Sequence, residues 1–217
     1  NAEVRPGVSL GVDPLASLLT SLRFAAVAAL ISVVVGGLAA LAISAARRYG
    51  GLLDIGLMLP LGTSAVTVGL GLLITFDTAP FDWRARWWLV PLGHALVATP
   101  FVVRALLPVL RAIPSDQRAA AATLGASPTR AWLAIDVRRI LRPLGAASGL
   151  AAAISLGEFG ATITFAGNVE GRTRTLPLLV YLQLESDPDA AFALSAVLLA
   201  VSLLVLVALR DRWLVRT

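Results

Sequence analysis

The chain has 217 residues, of which 58% are hydrophobic and only 14% charged, and its mean hydropathy is +0.84. Soluble domains carry about 45–50% apolar and about 25% charged residues, so the composition excludes an ordinary soluble domain. All 18 basic residues are arginine, and there is no cysteine and one histidine, which excludes disulfides, thiolate metal sites and any phosphate loop that needs a lysine. A net charge of +5 would suit nucleic acid, but in a chain this apolar the arginines read instead as markers of the cytoplasmic face.

A bilayer span needs about 20 mostly apolar residues. Leu22–Ala46, Leu52–Phe76, Trp87–Leu110, Pro143–Ala166 and Ala191–Leu209 all satisfy this, and predict an all-α, polytopic membrane protein with five transmembrane helices. Ahead of them, Asn1–Thr20 is polar and turn-rich and reads as a lead-in segment. The first predicted helix leaves through Arg47-Arg48-Tyr49-Gly50-Gly51, where the glycine pair ends it. The second carries Pro60, Gly62, Gly69 and Gly71, and the segment after it holds Phe81, Trp83, Trp87 and Trp88, an interfacial aromatic belt. The third contains Pro91, His94, Pro100 and, near its cytoplasmic end, Arg104. Pro143 is expected to open the fourth, which runs to Gly167-Asn168, and Leu178–Leu184 is a short amphipathic piece that cannot span. The fifth is plain Ala, Leu and Val.

Between the third and fourth predicted spans lies Arg111–Arg142, too basic to be buried and therefore a loop in water. With this loop inside the cell, twelve arginines fall inside and six outside, and eight acids join the outer six. That orientation puts Asn1–Thr20 and Gly167–Asp189 outside. An external start, on a chain beginning with Asn, is expected to follow at least one earlier span. Within the loop, Ala119–Ala122 is a run of strong helix formers with Ser115 or Asp116 as the expected N-cap. Gly125 can take a positive φ and end that helix in a sharp turn, which makes a compact element suited to a groove on a partner.

Ala120-Ala121, then Gly125-Ala126 and Ile135, resemble the cytoplasmic E-A-A loop of binding-protein-dependent ABC importer permeases. Ala119 stands where that motif has Glu, Val137 where it has Leu and Arg138 where it has Pro. Gly157-Glu158-Phe159-Gly160-Ala161-Thr162, Phe165–Asn168, Gly171-Arg172-Thr173 and Thr175-Leu176-Pro177 resemble molybdate and sulfate permeases, while Pro60–Phe76 and Pro91–Arg111 are more similar to ferric-iron and thiamine permeases built as fused halves. The resemblance implies a transmembrane domain over residues 21–217 in a bacterial inner membrane. It further implies a separate nucleotide-binding ATPase, an external solute-binding protein and a second permease half or copy, with no cofactor, metal or nucleic acid. Ala119, Ala120, Ala121, Gly125, Ala126, Ser127 and Trp132 would then couple to the ATPase.

Glu158, Ser155, Thr162 and Pro60 are the candidate residues of a translocation path or gate. Glu158 is read as the one acid well inside a span. Such charges face a bundle interior or water, and the alternative is a hydrogen-bonded anchor packed closely through Gly157 and Gly160. His94 has no second ligand to share a metal and reads as a helix-packing residue. Pro60, Pro91 and Pro100 either kink helices around a path or are merely tolerated. Ser155 has no base to activate it, which argues against an enzyme. A transporter driven by an ion gradient is the rival reading, disfavoured by a single buried acid and no visible repeat.

Overall fold

The computed structural model describes residues 13–46, 49–77, 86–165 and 172–214. The lead-in before Asp13, the Arg47-Arg48 exit, the aromatic pair Phe81 and Trp83 and the Gly167-Asn168 motif lie outside the described residues. Ten α-helices make up the described chain: α1 (Pro14–Ala45), α2 (Gly50–Met58), α3 (Ala65–Phe76), α4 (Leu89–Arg111), α5 (Ser115–Thr123), α6 (Pro128–Trp132), α7 (Arg138–Gly157), α8 (Gly160–Phe165), α9 (Leu176–Ser186) and α10 (Pro188–Leu214). Four helices are long and apolar enough to cross a membrane, and the bent α2–α3 pair makes a fifth crossing if it counts as one span.

The first helix begins at Pro14, not Leu22, so residues 14–20, expected in the lead-in, form its first two turns. Asp13 explains the early start, because its carboxylate accepts the Leu15 and Ala16 N–H groups at 2.9 and 3.1 Å while Pro14 supplies the φ of a first helical residue. At 32 residues α1 rises about 48 Å, longer than a hydrocarbon core of about 30 Å. The glycine pair does not end it. Ala46 is the cap, and Gly50-Gly51 open α2, where a Cβ on Gly50 would sit 2.8 Å from the Ile43 carbonyl oxygen.

The second predicted span is not straight. A 3-10 turn, Leu59–Gly62, and two extended residues, Thr63 and Ser64, separate α2 from α3, and the axes bend by 101°. Pro60, which has no N–H to give a helix, sits in that turn. Pro91 occupies the first turn of α4, where its missing donor costs nothing, so it kinks nothing there. Pro100 lies inside α4, which continues through it.

Pro143 does not open the fourth span either. It lies inside α7, which is continuous with α6 through a π turn, Leu133–Val137, giving a single helical stretch from Pro128 to Gly157. That stretch ends at Gly157, nine residues short of the expected Ala166, and α8 begins at Gly160. A nine-residue α5 rises about 14 Å and an eleven-residue α9 about 17 Å, so neither crosses a bilayer.

The core lies where α1, α4 and α7 meet, with Ile43, Val102, Val103, Leu106, Leu107, Ala147 and Ala151 buried together. The Ser32 hydroxyl crosses to the Ala95 carbonyl at 3.2 Å, fixing α1 against α4, and the Leu176 N–H reaches Ser21 Oγ at 2.7 Å, fixing the start of α9 on α1. On α10, Phe192, Leu199, Leu203 and Leu204 point outward. A helix apolar on all sides suits lipid on its outer face.

Candidate coupling loop and intramembrane polar cluster

Pro114, extended at ψ 136°, is the capping residue of α5, and the helix starts at Ser115 itself, so neither Ser115 nor Asp116 is the cap. The far end is built as expected. Gly125 has φ +81°, its N–H bonds the Ala122 carbonyl at 3.0 Å, and the Ala126 N–H bonds the Ala121 carbonyl at 3.0 Å. This pair of bonds is a Schellman motif, and a left-handed glycine is what lets it close. Two residues on, Ser127 Oγ accepts the Arg130 N–H at 3.3 Å and Pro128 begins α6, so the turn is held from both sides.

Along this loop Ala119, Ala120, Gly125 and Ser127 are exposed, while Ala121 and Ala126 are half-buried. Leu124, between helix and glycine, is 87% exposed, and Trp132 and Leu133 are exposed beyond it. Together they give the loop an exposed apolar tip, the kind of patch that marks interaction surfaces. Leu124 was missed in the sequence, although its place one residue before the helix-ending glycine is where an unpacked side chain would fall.

The loop is tied to the bundle by an ion pair. Arg118 on α5 donates through both Nε, at 3.1 Å, and Nη2 to the two carboxylate oxygens of Asp136 in the π turn. Asp136 is 1% exposed, whereas the Arg118 side chain is half in water. The hydrogen bonds to Asp136 raise the Arg118 pKa above its ordinary value, burial works slightly against this and the carboxylate charge adds to it.

A second cluster lies between α4, α7 and α8. His94, 1% exposed, places Nδ1 2.8 Å from Ser155 Oγ in the last turn of α7 and Nε2 2.7 Å from Thr162 Oγ1 in the first turn of α8. Glu158, between the two helices, accepts the Ala161 N–H on Oε1 at 3.0 Å, and its carbonyl accepts the Thr162 hydroxyl at 3.3 Å. For a neutral ring, one proton assignment satisfies all these bonds: Nε2–H donates to Thr162, and Ser155 donates to Nδ1. Ser155, Glu158 and Thr162 are therefore brought together, with His94 joining them, so the serine expected to have no base nearby has an imidazole at hydrogen-bond distance. Pro60 stands apart from them in its turn between α2 and α3.

Small residues let α3 approach α8. A Cβ on Gly69 would come 2.9 Å from the Ala161 Cα, and one on Gly160 would come 3.2 Å from the Val66 nitrogen. Gly157, expected to share that packing, faces open space. A further polar group went unread in the sequence: Asp54 on α2, whose carboxylate lies 3.7 Å from Arg104 Nη1 at the rim of an open cavity of about 370 Å³ with Met58 and Thr63. Arg104 Nε also points at the Met58 sulfur, 3.1 Å away.

No family model matches this sequence. Individual relatives do. The chain is 37% identical over 207 residues to the molybdenum transport system permease protein ModB of Mycobacterium tuberculosis, covering 90% of this chain and 78% of that protein. It is 34% identical over 176 residues to ModB of Escherichia coli, covering 76% and 77% of the two chains. The chain belongs to the ABC importer permeases. The permease is likewise 35% identical over 166 residues to the sulfate transport system permease protein CysT of Escherichia coli, covering 71% of this chain and 60% of that one. With the mycobacterial alignment reaching over 90% of the permease, the likeness extends well beyond the fourth-span motif into the upstream helices. The permease is a multi-pass protein of the bacterial inner membrane and works with an ATPase and a solute-binding protein, as ABC importer permeases do.

Proposed function

We propose that this permease carries a tetrahedral oxyanion, molybdate or sulfate, inward by alternating access, and that the turn between α5 and α6 is where its ATPase pushes. The observation that carries the coupling reading is a nine-residue alanine-rich helix, mostly exposed, ended by a left-handed Gly125 and tipped by the exposed Leu124. Ala119, Ala120, Ala121, Gly125, Ala126, Ser127 and Trp132 form the docking element. The chain contains no lysine and so no lysine-bearing phosphate loop, which assigns hydrolysis to the separate subunit. The substrate class is supported by relatives named for molybdenum and for sulfate. A second permease half or copy completes the path, and the outward Leu52, Ile55, Val66, Leu70 and Ile74 of α2 and α3 offer it an apolar face.

Glu158, Ser155 and Thr162 sit at the break in the fourth span, where a gate would need polar groups and an interrupted helix. The test is ATP-dependent uptake into proteoliposomes containing the permease assembled with its ATPase and binding protein. Labelled molybdate and sulfate are expected to accumulate only with ATP inside, and ferric iron and thiamine are expected to be left behind. Accumulation of thiamine or iron instead would move the substrate assignment. Uptake driven by an ion gradient without ATP would return the ion-coupled reading.

A further inference from the structure

We propose that Arg118 and Asp136 are positioning residues that transmit the push on α5 into the membrane helices. The proposal rests on the docking reading of the α5–α6 turn and adds the route by which a push there reaches the bundle. Helices shorter than about 12–15 residues are marginal by themselves, so nine-residue α5 depends on its attachments. At its start it follows Pro114 in an extended conformation, and at its end it turns through Gly125. Attached by those two turns alone, a pushed helix would swivel and spend the displacement locally.

The Arg118–Asp136 pair removes that freedom. It has two hydrogen bonds in a planar fork, which fixes orientation as well as distance in a way a single contact does not. Asp136 is buried in a π turn whose neighbours Arg138 and Arg139 are exposed. The wider π turn shifts the helix face by part of a turn, so that Asp136 faces inward toward Arg118. π turns of this sort recur at functional positions. From Val137 the chain continues without a break through α7 to Ser155 and Gly157, ending beside His94 and Glu158. Coupling between distant sites travels through such packed, rigid elements. The sequence separation of 18 residues from Arg118 to Asp136 thus joins the docking helix to a 20-residue lever that ends at the polar break.

The experiment measures molybdate taken up per ATP hydrolysed, in proteoliposomes of the assembled transporter. Because the Arg118 side chain is half-exposed, Arg118→Gln breaks the ion pair without opening the core, and its amide can still donate one hydrogen bond to the buried Asp136. The ATPase subunit is expected to stay bound and to hydrolyse ATP, while uptake per ATP falls about tenfold. Arg118→Lys, which keeps the charge and loses the fork, should fall between Gln and the native residue. The reversed pair, Arg118→Asp with Asp136→Arg, should recover most of the loss. Unchanged uptake per ATP in an assembled Arg118→Gln transporter overturns the proposal, as does an assembled reversed pair no better than the single variant. Should the reversed pair not assemble, the order of native, Lys and Gln decides alone. Release of the ATPase by Arg118→Gln would make Arg118 a docking residue and also overturn the link. Failure of the docking reading is separately visible, as an ATPase that binds and drives transport equally well when Gly125 is replaced by Val.

Discussion

His94 and Ser155, 61 residues apart in sequence, meet at 2.8 Å inside the helix bundle, and the opposite ring nitrogen holds Thr162 across the break in the fourth span. One imidazole therefore straps both limbs of a broken helix to α4. Its replacement by leucine removes both bonds and leaves the Ser155 hydroxyl without that partner. Interhelical hydrogen bonds in membranes are worth about 1 kcal/mol each, so His94→Leu should lose roughly 1–2 kcal/mol of stability. The check is the temperature at which detergent-purified complex aggregates, followed by size-exclusion chromatography. A variant as heat-resistant as the native protein would show the ring to be dispensable for packing.

Glu158 offers a sharper separation of roles. Its side chain caps α8 through the Ala161 N–H, a bond that the amide oxygen of glutamine can still accept. Glu158→Gln should therefore fold normally, and any change in uptake rate or substrate affinity would come from the loss of the carboxyl group itself. Glu158→Leu removes the cap as well, at a cost of about 1 kcal/mol, and should lower the yield of folded complex. A silent Gln variant with a poorly folded Leu variant would leave Glu158 a structural anchor. An active, well-folded Leu variant would rule out both roles.

These residues also show what could be read from the sequence. Apolar length located the four membrane-crossing helices and the bent α2–α3 pair, and a glycine after four alanines located the α5 turn, because both signals are local. The break at Glu158 was hidden, since Gly157–Thr162 holds no proline to forbid a continuous helix, and the bonds that Glu158 and Thr162 make at the break join residues only three and four apart. The 101° bend near Pro60 was half visible: proline announced a kink, but the two extended residues after it were not announced. Asp54 and Arg104, 50 residues apart and each near the end of its own span, could be paired only by knowing which helices touch. Asp136 is similar, for a helix of ordinary pitch would not have shown where a π turn directs it.

Gly125 is the position at which the coupling turn tolerates least. At φ +81° any β-branched residue is strained by about 1–3 kcal/mol, although nothing lies within 4 Å of where its Cβ would be. The penalty is thus conformational, not steric, and falls on the turn alone. Gly125→Val should insert and fold in the membrane, yet fail to hold the Schellman geometry and lose most ATP-driven uptake. Gly125→Asn, whose side chain tolerates the left-handed region better, should retain more activity than Val. Equal uptake by Val, Asn and the native protein would remove the turn from the coupling mechanism.

The orientation inferred from arginine placement can be tested directly, because the chain contains no cysteine and any introduced thiol is unique. Ser186, at the end of α9, and Ser127, at the start of α6, are both exposed. With the arginine-rich loop inside, a thiol from Ser186→Cys should react in intact cells with a reagent that cannot cross the membrane. One from Ser127→Cys should react only in inverted vesicles prepared from cells making the permease without its ATPase, since the docked subunit would cover it. Labelling of the Ser127 variant, and not the Ser186 variant, in intact cells would invert the topology. It would also place the α5–α6 turn on the wrong face for an ATPase, which makes this measurement the most economical test of the coupling assignment.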